Sequence, residues 1–170
     1  MIKKIVVICA VSLLATVSAE AEQKPPVSMA THSYQLTVVK DKKGKVVKDK
    51  KGKPVKKWLK ASKVVPGTVV KYVDTITNDT DEVLTNARVS NPINKNLLFV
   101  EGSAASEAKF SVKYSVDGGK HYGLPAQLFV IGKDKKKHQA QAKDYNAIEF
   151  VVAQVPAHSK VDVSFKVKLK

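Results

Sequence analysis

The chain has 170 residues, 44% hydrophobic and 26% charged, with a formal net charge of +15 and a single cysteine. That is enough chain for one domain with an ordinary core, and one cysteine excludes a disulfide scaffold or a cysteine-built metal centre. Of the 30 basic residues only Arg88 is arginine; lysine lacks the planar fork that base recognition favours, so sequence-specific nucleic-acid binding is not expected.

The first residues read as an export leader. Met1-Ile2-Lys3-Lys4 is basic, residues 5–15 are apolar, and Ala19-Glu20-Ala21 has the form of a cleavage site. Eleven residues of helix reach roughly 16 Å, well short of the roughly 30 Å hydrocarbon core of a bilayer. A signal peptide over residues 1–21 is predicted, cut after Ala21 or, as the alternative, after Ala19. No cysteine follows the apolar run at a lipoprotein-like position. Cleavage removes Cys9, Lys3, Lys4 and Glu20, so the net charge falls from +15 to +14. The mature chain is then expected outside the cytoplasm, in the periplasm or beyond the cell.

Residues 22–33, with paired prolines and no hydrophobic period, read as a spacer. Residues 34–170 read as a single β domain, opening with a strand over 34–40. Next comes a tandem repeat: KDKKGKVV at 40–47 and KDKKGKPV at 48–55, differing only at Val46 against Pro54. Residues 40–63 hold twelve lysines against Asp41 and Asp49, a local charge of +10 on a body that otherwise carries +4. Gly44 and Gly52 each follow a charged triplet and suit hairpin turns. Pro54 demotes its surroundings to a sheet edge. The expectation for 40–57 is an exposed hairpin or edge extension, with Trp58 and Leu59 packed inward after it.

Downstream, Pro66-Gly67 marks a turn and residues 68–77 are rich in Val, Ile, Thr and Tyr, as a pleated surface favours. Residues 83–89 alternate, and Asn91-Pro92 is expected to end that strand. Residues 97–100, 110–116, 128–131 and 147–152 are further strand candidates. In 160–169 the alternation is clearest, with Val161, Val163, Phe165, Val167 and Leu169 on the inner side. Short strands at close spacing, with turn residues between them, predict an all-β antiparallel sandwich or barrel.

The order of these phrases resembles a bacterial surface-protein family, the conserved repeat known as domain of unknown function number eleven. Pro66, Gly67, Val70, Tyr72 and Asn78 make one phrase and Asn91-Pro92-Ile93 another, within a match over about residues 64–170; Asn94 stands where the family often has proline. The resemblance implies an immunoglobulin-like β-sandwich of the cell envelope. It implies no catalytic residues. The stretch 115–122 is also similar to an Asp-box hairpin, in which Asp117 accepts turn N–H groups and Gly119 takes the awkward backbone angle, a structural role.

For catalysis the chain offers little. His32, His121, His138 and His158 fall where spacer or loops are expected, and no G-x-S-x-G, H-E-x-x-H or phosphate-loop motif is present. No enzyme activity, cofactor or metal is expected; Asp79, Asp81 and Glu82 form an acidic turn without the rest of a calcium loop. Asn78-Asp79-Thr80 fits the glycosylation pattern on three residues alone. Lys71, Asn86 and Asp74 lie in predicted strands as residue types for a lysine–asparagine cross-link, but their spacing does not select them.

Two readings of the lysine repeat stand side by side. Lys42, Lys43, Lys45, Lys50, Lys51, Lys53, Lys56 and Lys57 can attract a polyanion such as a glycolipid, a polysaccharide, released nucleic acid or an acidic membrane surface. Alternatively they guard a sheet edge against aggregation. The functional expectation is a non-catalytic, exported structural or interaction module of the bacterial cell envelope or surface, whose partner is an unidentified envelope or surface protein, with polyanion binding through the repeat as the alternative.

Overall fold

The computed structural model describes residues 25–170; the leader expected over 1–21 lies outside the described residues. Two antiparallel sheets pack face to face. One contains β1 (Val27–Val38), β2 (Lys56–Lys60), β3 (Val69–Asn78), β5 (Leu97–Phe99), β6 (Ala105–Ser106) and β11 (Ser159–Leu169). Its order is β2-β1-β3-β11-β5, with β6 also on β11. The other holds β4 (Leu84–Pro92), β10 (Ala147–Val155) and β7 (Phe110–Ser115), with β10 in the middle. A small ribbon of β8 (Phe129–Ile131) and β9 (Lys137–Gln139) stands apart from both sheets. This is an all-β antiparallel sandwich, one of the two architectures that the alternation predicted.

Period-two patterning explains the core. On β11, Val163, Phe165 and Val167 are at most 2% exposed, in register with Asp74, Tyr72 and Val70 of β3. Facing them on β10 are Ile148, Phe150 and Val152, each fully buried. The rings of Phe150 and Phe165 meet across the sandwich at 6.3 Å. Each of these side chains contributes about 1.5–3 kcal/mol by leaving water. At one end of the core Phe99, Tyr114 and Tyr145 cluster, the two tyrosines stacked at 4.4 Å.

Polar side chains also cross the interior. Asp74 is fully buried; its carboxylate accepts Thr31 Oγ1 at 2.6 Å and Asn91 Nδ2 at 2.7 Å. Asn78, also fully buried, donates to the Glu82, Val155 and Pro156 carbonyls and accepts from the Thr80 amide and hydroxyl. It thereby ties the end of β3 to the β10–β11 turn.

Several sequence expectations change. The first strand begins at Val27, inside the stretch read as spacer over 22–33, because residues 27–35 pair with β3 from Asn78 back to Val70. His32 therefore sits on a strand. Asn91-Pro92 does not break β4 off before it but forms its last two residues; both pair with β10, and the Asn91 amide donates to Asp74. Trp58 and Leu59 cannot both point inward, since neighbours on a strand face opposite ways. Trp58 lies on the outer face, half-buried, and Leu59 is 40% exposed.

Candidate functional site

The lysine repeat forms a three-way junction, not a simple hairpin. The Val39 amide donates to the Val55 carbonyl, Val55 to Val47 and Val47 to Val39, each bond 2.8–2.9 Å. Three residues spaced by eight thus close a ring of hydrogen bonds, and from it leave the β1–β2 ladder and two loops. The loops are alike. Asp41 N donates to Lys45 O and Asp49 N to Lys53 O, while each aspartate's Oδ1 accepts two amides, those of Lys43 and Lys45 or of Lys51 and Lys53. Gly44 and Gly52 sit at φ +77° and +74°, a left-handed conformation that a side chain would strain.

The ring also explains Pro54. The flanking pairs Asp49–Lys53 and Val47–Val55 carry that loop's hydrogen bonds, so Pro54, bridged to Lys48 between them, needs no N–H. Each aspartate spends one carboxylate oxygen, Oδ1, on two backbone amides. The eight candidate lysines, Lys42, Lys43, Lys45, Lys50, Lys51, Lys53, Lys56 and Lys57, are all exposed. Among the described residues, no carboxylate lies within 4.0 Å of any of them.

Register extends this basic surface in a way local sequence does not announce. Lys60, Tyr34, Lys71 and Lys166 occupy one row across β2, β1, β3 and β11 on the outer face of the larger sheet. The Lys166 ammonium lies 5.8 Å from the centre of the Trp58 ring. Neighbouring lysines in register repel one another, a penalty an anionic ligand would relieve. An open groove of about 1250 Å³ continues along this face toward the β10–β11 turn. Lys71, Lys109 and Lys160 share its walls with Glu107 and Asp162, so it presents no single-sign field.

Asp117 and Gly119 occupy a tight turn. Asp117 Oδ1 accepts the amides of Lys120 and His121 and the Ser115 hydroxyl, while Oδ2 meets His121 Nδ1 at 2.6 Å. The His121 amide, then the His121 ring and the Ser115 hydroxyl, hold this carboxyl well below the usual carboxylate range. A Cβ on Gly119 would come within 2.8 Å of the Tyr122 hydroxyl oxygen. Ser115, Asp117 and His121 do not form a nucleophilic triad. The aspartate, not the histidine, stands in the middle, and the fully buried serine donates to it.

His138, on β9 and not in the expected loop, pairs with Asp134, and His158 pairs with Asp81. Lys71, Asn86 and Asp74 are not brought together as a cross-linking set; Asp74 is bonded to Thr31 and Asn91 instead. The amide of the Asn78 glycosylation pattern is buried and fully engaged. Among the described residues no helix is long and apolar enough to cross a membrane.

No protein-family model matches the chain, and no curated protein does. Among solved structures, the fold is similar to a protein from Corynebacterium diphtheriae described as membrane anchored, with a TM-score of 0.47 and 12% identity. The alignment covers 88% of this chain and 29% of that one, so this chain spans less than a third of the neighbour's length.

Proposed function

We propose that the chain is an exported, non-catalytic interaction module of a bacterial envelope or surface, working in the periplasm or outside the cell. The observation that carries this reading is the junction. The fold devotes two aspartates, two glycines and a closed ring of hydrogen bonds to presenting lysines away from the core. The leader pattern and the resemblance to the surface-protein conserved repeat support the location. Affinity capture from envelope extract at two ionic strengths tests it, with a defined protein partner as the expected result. A hydrolase or transferase turnover abolished by one side-chain substitution would defeat it.

A second reading has its own observation. Eight exposed lysines without carboxylate partners continue into the Lys60–Lys71–Lys166 row, a surface suited to an anionic polymer. With about eight contacts, affinity for heparin should fall on the order of a thousandfold between about 50 and 200 mM salt. Salt-independent binding, or binding unchanged by removing the loops, would overturn it.

A further inference from the structure

The larger sheet has one edge guarded along only half its length. β1 is twelve residues long, but β2 pairs only with Tyr34–Val38, and the Ala61 amide adds one bond to the Ser33 carbonyl. In an antiparallel ladder alternate residues aim both backbone groups to the same side. Val27, Met29 and Thr31, in phase with Ser33, therefore point N–H and C=O toward the side β2 does not reach. Among the described residues nothing pairs with them there.

The chemistry of this stretch differs from the guarded half. β2 carries Lys56, Lys57 and Lys60, whereas residues 27–33, VSMATHS, contain no Lys, Arg, Asp or Glu. Val27 is 43% and Met29 53% exposed. An uncharged strand with free backbone groups is a template for another strand.

We propose that the occupant is a second copy of this chain, its own residues 27–31 pairing antiparallel and joining the two larger sheets into one. The shape of the edge supports a copy over an unrelated strand. β2 makes a step beside Ser33, so the open half is a notch. A two-fold partner places its own β2 beyond the Val27 end, where Pro25-Pro26 lacks N–H groups to continue the ladder. Centring on Met29 sets Val27 against Thr31 of the second copy and forms about six hydrogen bonds. No like charges meet along the pair.

This pairing is independent of the polyanion reading and carries the opposite salt dependence. Two strongly basic bodies repel, so added salt promotes the dimer by screening. Sedimentation velocity of the purified protein at up to the order of 100 µM, in about 50 and 500 mM salt, tests it. A dimer fraction that grows with concentration and with salt is expected.

Met29→Pro removes a donor facing the notch and no intramolecular bond; Met29→Lys sets two ammoniums against each other. Both should give monomers with unchanged circular dichroism. Should the proline variant misfold, the lysine variant and slowed hydrogen exchange at Met29 and Thr31 with rising concentration decide the matter. A wild-type monomer throughout, or a dimer indifferent to Met29→Lys, overturns the proposal.

Discussion

The Asp74 carboxylate, fully buried on β3, accepts the Asn91 side-chain amide of β4 at 2.7 Å, joining the two sheets through their common interior. Thr31 on β1 completes the set at 2.6 Å. A buried acceptor with two good donors holds the sheets in one relative position, because any slip leaves polar groups dry and unpaired.

Asp74→Ala should therefore lower stability by about 2–4 kcal/mol, since it leaves the Asn91 amide without its acceptor in the interior and removes the bond to Thr31. Asn91→Ala should be milder, and a double-mutant cycle by urea unfolding should return a coupling of about 0.5–3 kcal/mol. Additive effects would show that the contact does not link the sheets.

How much of this was legible beforehand depended on whether the signal was local. The alternation at Val161, Val163, Phe165 and Val167 is local, and it located the core. Residues 27–33 were hidden because a polar inward residue, Thr31, serves another polar residue forty-three positions away. Asn91 looked like a breaker for the same reason. The repeat announced two equal turns, and Asp41, Gly44, Asp49 and Gly52 serve them. Nothing in an octapeptide announces that Val39, Val47 and Val55 meet, nor that Lys60, Lys71 and Lys166 share a row. Both depend on pairing between distant segments.

The loops should be separable from the sandwich. Replacing residues 40–54 with Asn-Gly leaves Val39 and Val55 as the closing pair of an ordinary two-residue hairpin. Thermal unfolding of this variant should stay within about 5 °C of wild type, as core burial is untouched. Eight lysines and two aspartates go, and heparin retention should fall with them. A collapse in melting temperature would mean that the junction braces β1 and β2.

Alkaline pH should destabilise the protein through two tyrosines. Burial is the main cause raising both Tyr114 and Tyr145 above 10.0; Tyr145 and Glu101 add to it for Tyr114, and Glu101 and Asp144 for Tyr145. The folded state keeps its phenolic protons longer than the unfolded chain. Stability is therefore full below about pH 10 and declines as pH rises through the raised folded values. Ultraviolet titration should show two of the five tyrosines ionising late. Simultaneous ionisation of all five would contradict the stacked pair.

Asp117 gives the corresponding test at low pH. Its carboxyl resonance should remain in the ionised form near pH 3, where unperturbed aspartates are largely protonated. Its contribution is present above the ordinary aspartate range and is lost only as pH falls through the depressed folded value. His121→Ala removes the ring but keeps the backbone amide, the largest cause, so it should raise the titration point only part of the way. Full return to ordinary behaviour would assign the effect to the imidazole.

Because Val39, Val47 and Val55 are interchangeable corners of one triangle, the chain can lose an octapeptide without disturbing its frame. Replication slippage that deletes either copy leaves two corners facing each other as a plain hairpin, with β2 still in step. Each copy carries four lysines and one aspartate, so the surface would change in increments of three charges. Evolution thus has a dial for electrostatics here that is geared apart from the folding of the sandwich beneath.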